Sequence, residues 1–148
     1  MNVKISNYDL NKCYIGCFSF DYETDQFLLE KDLNIVSYED GKLIIKNENK
    51  QYLIDEEYQD FFEEREEFDV IEIYDNGYVQ LLYSRKSDDN TLFITPKCNS
   101  NCIMCPSSDY SRREGEAVSK EELLDIVRYY PNTAKHITIT GGEPFLIG

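Results

Sequence analysis

Two stretches in the last third of the chain decide the fold: residues 91–106 read TLFITPKCNSNCIMCP, and residues 136–144 read HITITGGEP. Each stretch opens with a short run rich in apolar and β-branched residues, which predicts a strand, and the first strand is expected to be buried on both faces. Between them, Ser119 and Glu122 form the pattern of a capping box and predict a helix that ends before Pro131. The order strand, helix, strand predicts a right-handed βαβ unit with parallel strands.

An unusual segment follows each predicted strand directly. Residues 96–106, here named the cysteine loop, follow the first strand, and residues 141–143, here named the Gly-Gly-Glu turn, follow the second. Neighbouring parallel strands end at the same edge of their sheet, and α/β folds bind ligands at that edge. The sequence therefore predicts that the two segments form one site.

The cysteine loop contains three thiols, Cys98, Cys102 and Cys105, in the spacing C-x3-C-x2-C. Thiolates are soft ligands that favour zinc, copper or iron–sulfur clusters. Three thiolates leave one iron of a four-iron cluster open to a small chelating molecule. A structural zinc site needs a fourth ligand, and the only histidine, His136, begins the second strand at the opposite edge. A redox pair of Cys102 and Cys105 is a further alternative, but it leaves Cys98 without a role.

The Gly-Gly-Glu turn suits close contact with a ligand. Gly141 and Gly142 lack a Cβ, so the backbone can approach a neighbour closely or adopt a positive φ. Glu143 places a carboxylate where it can accept hydrogen bonds from an ammonium group. The alternative interpretation is an ordinary turn that leads from a strand into a helix.

Together, the C-x3-C-x2-C motif after one strand and Gly-Gly-Glu-Pro after the next resemble the radical S-adenosylmethionine (radical SAM) enzymes. The resemblance implies that three residues bind a [4Fe–4S] cluster: Cys98, Cys102 and Cys105. It implies that four others contact S-adenosylmethionine: Met104, Gly141, Gly142 and Glu143. Enzymes of this kind cleave S-adenosylmethionine with one electron and release a 5′-deoxyadenosyl radical that abstracts hydrogen from a substrate. Met104 departs from the family pattern, which usually has an aromatic residue before the third cysteine.

The loop also resembles that of a narrower group, the radical maturases of His-Xaa-Ser repeat peptide systems. The resemblance lies in the sequence Cys-Asn-Ser-Asn-Cys-Ile-Met-Cys-Pro. That resemblance implies a peptide or protein substrate. It also implies a reducing electron donor such as flavodoxin or ferredoxin.

The resemblance implies an α/β fold, the partial (β/α)6 TIM-like barrel. Six βα units need on the order of 180 residues, whereas residues 91–148 provide only the first βαβ unit. We therefore expect a truncated radical SAM core that is inactive alone. Two alternatives remain: a non-enzymatic cysteine-rich module that binds zinc or an iron–sulfur cluster, and an acidic protein-interaction domain. Arg112 and Arg113, which follow the cysteine loop, are expected to be solvated.

Residues 1–90 are predicted to form a separate small acidic β-rich α+β domain. They contain 22 Asp and Glu residues against 9 Lys and Arg residues. Asp-Gly at 40–41 and Asn-Gly at 76–77 predict two hairpins, and residues 55–67 predict this domain's one helix. Cys13 and Cys17 are predicted to be two small buried residues.

The overall charge and the N-terminus limit the location and partners of the chain. A net charge of −14 argues against nonspecific binding to nucleic acid or anionic membranes, because both would repel the protein. The first residues lack the apolar stretch of a signal peptide. The sequence therefore predicts a cytoplasmic protein that binds neither nucleic acid nor membrane.

Overall fold

The computed structural model of the chain describes residues 2–147 and contains a large mixed sheet and a small parallel one. The large sheet has seven strands: β1 (Val3–Lys4), β2 (Tyr14–Phe18), β3 (Ile35–Glu39), β4 (Lys42–Ile45), β5 (Lys50–Leu53), β6 (Val70–Ile73) and β7 (Tyr78–Tyr83). Their order across the sheet is β1-β7-β6-β2-β3-β4-β5. Neighbours are antiparallel except for β2 and β3, which are parallel.

Both predicted hairpins are present in this sheet. Strands β3 and β4 pair antiparallel around Asp40 and Gly41, whose φ angles of 50° and 75° are those of the tight turn that Asp-Gly favours. Strands β6 and β7 pair around a turn in which Gly77 has a φ of 84°. The turn residues and the apolar runs that flank them therefore predicted these four strands correctly.

The prediction that this half has one helix is wrong. The predicted helix is present as α2 (Glu56–Glu63), shorter than expected, but α1 (Tyr22–Glu30) precedes it. The carboxylate of Asp21 caps α1 by accepting a hydrogen bond of 2.7 Å from the backbone N–H of Thr24. Only Thr24 and Leu28 of α1 are buried, so its apolar stripe is too short to stand out from the sequence.

The small sheet contains the two strands that the sequence singled out. Strand β8 (Asn90–Thr95) pairs in parallel with β9 (Ile137–Gly141). Two helices connect them, α3 (Asp109–Glu114) and α4 (Lys120–Arg128). The mixed α/β character is thus confirmed. The prediction that β8 is buried on both faces is wrong, because Thr91 and Phe93 lie on one face and are exposed, Phe93 by 47%.

One apolar cluster joins the two sheets. Leu92 and Ile94 of β8 and Ile126 of α4 are buried in the same cluster as Ile35 and Val70 of the large sheet. The division into domains 1–90 and 91–148 stays a prediction. Among residues 2–147, no helix has both the length and the apolar character needed to cross a membrane.

The predicted capping box is present at the start of α4. The hydroxyl of Ser119 accepts a hydrogen bond of 3.2 Å from the backbone N–H of Glu122, whose carboxylate accepts one of 2.9 Å from the backbone N–H of Ser119. These bonds satisfy two amide donors that otherwise lack partners at a helix start.

Replacing Ser119 with alanine is expected to lower the free energy of unfolding by about 1 kcal/mol, because one cap hydrogen bond is lost. Urea unfolding followed by circular dichroism measures this loss. Lys120→Ala is the matched control, since Lys120 is exposed and the substitution leaves the cap intact. Equal losses for the two variants would contradict this assignment.

Candidate functional site

The cysteine loop and the Gly-Gly-Glu turn meet at one edge of the small sheet. The backbone N–H of Gly142 donates a hydrogen bond of 2.6 Å to the carbonyl of Thr95, and the N–H of Glu143 donates one of 2.7 Å to the carbonyl of Lys97. These bonds continue the pairing of β8 with β9 into the two segments. The turn therefore lies along the first residues of the loop, immediately before Cys98.

Both glycines are required by this close approach. Gly141 has a φ of 142°, a backbone conformation that residues with a Cβ rarely adopt. A Cβ at Gly141 would clash with the carbonyl oxygen of Thr95, and a Cβ at Gly142 would clash with that of Lys97. Backbone packing between the two segments thus explains the glycine pair without any ligand.

Glu143 is half-buried beside the loop. Its carboxylate accepts a hydrogen bond of 3.2 Å from the backbone N–H of Phe145 and so caps the short 3-10 turn Pro144–Ile147. The carboxylate is therefore held at the edge where the two segments meet. It retains further lone pairs with which to accept a hydrogen bond from a ligand.

The three loop thiols are free, and all are at least partly exposed: Cys98 and Cys105 are half-buried, and Cys102 is exposed. The Sγ of Cys98 accepts a hydrogen bond of 3.4 Å from the N–H of Ser100, and the N–H of Cys105 donates one of 3.2 Å to the carbonyl of Cys102. Within residues 2–147, no three metal-binding side chains converge on one point. The donor set suits a soft metal or an iron–sulfur cluster, but the loop must close to bring the thiols together.

The remaining cysteines and the histidine lie away from this edge. Cys17 is fully buried as predicted, and burial raises the pKa of its thiol to about 12. The prediction that Cys13 is buried is wrong, because Cys13 precedes β2 and is exposed. His136 pairs with Asn90 at the far end of the small sheet, about 15 Å along the strand from the cysteine loop at ~3.3 Å per residue. It is therefore too distant to complete a site with the loop thiols.

Met104 lies at the exposed part of the cysteine loop. Its side chain is 94% exposed, and the neighbouring Ile103 is also fully exposed. A contact between Met104 and a cofactor stays a prediction.

Helix α3, which was not predicted, holds the cysteine loop from behind. The N–H of Cys98 donates a hydrogen bond of 3.0 Å to the carbonyl of Arg112, and Nη1 of Arg112 donates one of 3.1 Å to the carbonyl of Ser100. Nη2 of Arg112 pairs with Asp109 one turn earlier. The expectation of a solvated side chain holds for Arg113, which is exposed, but it is wrong for Arg112, whose side chain is only 13% exposed.

Comparison with known proteins points to the same part of the chain. The sequence model of the Radical SAM superfamily matches residues 92–147. The chain is 35% identical over 65 residues to a probable GTP 3′,8-cyclase of Methanococcus maripaludis strain C6, and 34% identical over 65 residues to one of Archaeoglobus fulgidus. Each match covers 43% of this chain but only 22% of the relative's length. No protein of solved structure matches the chain.

Proposed function

We propose that residues 92–147, which the sequence model of the Radical SAM superfamily matches, form the cluster- and cofactor-binding part of a radical SAM enzyme. Members of this superfamily use a [4Fe–4S] cluster and S-adenosylmethionine. The observation that supports the proposal most strongly is the pair of hydrogen bonds that joins Gly142 and Glu143 to Thr95 and Lys97. They bring the Gly-Gly-Glu turn and the start of the cysteine loop to the same edge of a parallel pair of strands.

In this proposal the three loop cysteines have one shared task. As thiolates, Cys98, Cys102 and Cys105 would hold the cluster and, being three, would leave one iron open to S-adenosylmethionine. When bound, the cluster would supply the one electron needed to cleave S-adenosylmethionine. The protein supplies binding and orientation.

The Gly-Gly-Glu turn has the second task. The glycines hold the turn against the backbone of the loop, because no Cβ separates the two segments. The carboxylate of Glu143, fixed by its bond to Phe145, is positioned to accept a hydrogen bond from the amino group of the cofactor. A group that a rigid backbone contact already holds in place loses less conformational entropy when the cofactor binds than a group on a mobile segment does.

Cluster binding is expected to order the cysteine loop. The thiols do not converge among the described residues, and two of the loop's large apolar side chains, Ile103 and Met104, are exposed. Binding by ligands that are not yet assembled couples metal affinity to local folding. The site is therefore preformed at its base, where the turn meets residues 95–98, and is completed by the cluster.

The proposal extends to the fold, the electron donor and the substrate of the whole enzyme. We propose that β8 and β9 are the first two strands of a partial (β/α)6 barrel and that flavodoxin or ferredoxin supplies the electron. The amino-acid sequence of the cysteine loop supports a ribosomal peptide as the substrate that is modified. The curated relatives are named GTP 3′,8-cyclases, and this chain spans only 22% of their length.

Anaerobic reconstitution with iron and sulfide tests the proposal. We expect about four irons and four sulfides per chain and the broad visible absorption of a [4Fe–4S] cluster. A parallel titration with zinc measures the competing chemistry. Tight zinc binding without iron uptake would overturn the proposal and favour the structural metal module.

A further inference from the structure

We propose that Arg112 is the positioning residue of the cysteine loop. It holds the loop against α3 for cluster binding, and it places a positive charge near the thiol of Cys98. This inference deepens the proposed function and rests on it. It assigns a role to a side chain outside both motifs, on a helix that follows the loop.

Arg112 contacts the loop through both its backbone and its side chain. Its carbonyl accepts the N–H of Cys98 at 3.0 Å, and its Nη1 donates to the carbonyl of Ser100 at 3.1 Å. Ser100 in turn donates its N–H to the Sγ of Cys98 at 3.4 Å. The guanidinium is thus connected to the first thiol through a single intervening residue.

The guanidinium of Arg112 has a second partner besides Ser100. Asp109 pairs with Nη2 from the preceding turn of α3, and Ser108 caps the start of that helix by accepting the N–H of Ser111. The side chain of Arg112 is only 13% exposed. A planar guanidinium with these two partners orients its hydrogen bonds better than a flexible lysine ammonium does.

One donor of Arg112 has no partner. Its Nε is buried, and no acceptor for it exists among residues 2–147. A buried unpaired donor on a charged group is costly. The thiolates and sulfides of a bound cluster would be anionic, so the positive charge of Arg112 favours the loaded loop over the empty one.

Arg113 provides a matched control. It has the same charge and the neighbouring position in α3, but it is exposed. Any effect that depends only on the net charge of the chain or on helix propensity is shared by both residues. An effect specific to Arg112 must come from its contacts with the cysteine loop.

The test compares Arg112→Ala, Arg112→Lys and Arg113→Ala with the unmodified chain after anaerobic reconstitution. The first readout is the rate of iron loss to a chelator, and circular dichroism establishes that each variant is folded. We expect Arg112→Ala to lose iron about 10-fold faster, the size typical of outer-shell residues at metal sites. Arg113→Ala is expected to match the unmodified chain.

The second readout is the midpoint potential of the cluster, which a merely structural role would not move. Loss of a nearby cation disfavours the added electron, so Arg112→Ala is expected to lower the potential. Arg112→Lys is expected to keep the potential, because it keeps the charge, but to lose iron faster than the unmodified chain, because it lacks the planar fork.

The inference is overturned if Arg112→Ala and Arg113→Ala give equal iron loss and equal potentials. If Arg112→Ala does not fold, the rate of iron loss is compared between Arg112→Lys and Arg113→Ala instead, and equal rates overturn the inference. Failure of the unmodified chain to take up a cluster would instead refute the proposed function, and the inference with it.

Discussion

Replacing Cys98, Cys102 or Cys105 with alanine, one at a time, is expected to abolish the [4Fe–4S] cluster. Each variant keeps only two loop thiols, and no other described side chains converge to replace the lost one. A four-iron cluster held by two thiolates leaves two irons without a protein ligand, so iron content is expected to fall at least about 10-fold. The fold is expected to tolerate these changes within about 0.5 kcal/mol, because the three side chains are partly exposed.

Cys13→Ala is the control for these three variants. Cys13 is also free and exposed, but it lies next to the large sheet rather than in the cysteine loop. It should therefore bind iron as the unmodified chain does. The measurement is iron and sulfide content after reconstitution and desalting. If any loop variant retained a full cluster, or if Cys13→Ala lost it, the assignment of the three ligands would be wrong.

The second large effect is expected from Gly142→Ala. The added Cβ would clash with the carbonyl oxygen of Lys97, and backbone cannot yield as a flexible side chain can. The turn must move away from the loop, which breaks the hydrogen bonds from Gly142 and Glu143. We expect the cluster to bind but the cofactor-dependent change in its spectrum to disappear, with about 1–3 kcal/mol less stability.

Gly41→Ala is the matched substitution elsewhere in the chain. Gly41 has a φ of +75°, so an alanine there is strained, but a Cβ would meet only the flexible side chain of Gln59 at ordinary distances. Its stability loss should come from backbone strain alone, and its cofactor response should be intact. Equal cofactor responses in the two variants would show that the Gly-Gly-Glu turn does not contribute to the cofactor site.

Short sequence patterns predicted the turns and the helix cap, because interactions between residues close in the chain determine them. Asp40 and Gly41 specify their turn because both need positive φ angles. Ser119 and Glu122 satisfy each other's amides within one turn of helix. The meeting of the cysteine loop with the Gly-Gly-Glu turn was predicted because parallel strands end at the same edge of a sheet.

The parts that were missed depend on tertiary contacts. Helix α3 is six residues long and has no buried residue, so no apolar periodicity marks it in the sequence. Its signals were the cap at Ser108 and the spacing of Asp109 and Arg112. Neither shows that the side chain of Arg112 contacts the loop, because that contact depends on how residues 98–100 fold against α3. The exposure of Phe93 was missed for the same reason. The sequence of β8 does not show whether another element packs against the face of the strand that contains Phe93.

The most direct test of the account is electron paramagnetic resonance of the reduced, reconstituted chain with and without S-adenosylmethionine. In the proposed function, the cysteine loop and the Gly-Gly-Glu turn form one site for a cluster with an open iron and for the cofactor that binds it. We expect a [4Fe–4S] signal whose g values shift when S-adenosylmethionine is added. A signal that stays unchanged at saturating cofactor, or no four-iron signal at all, would contradict that claim.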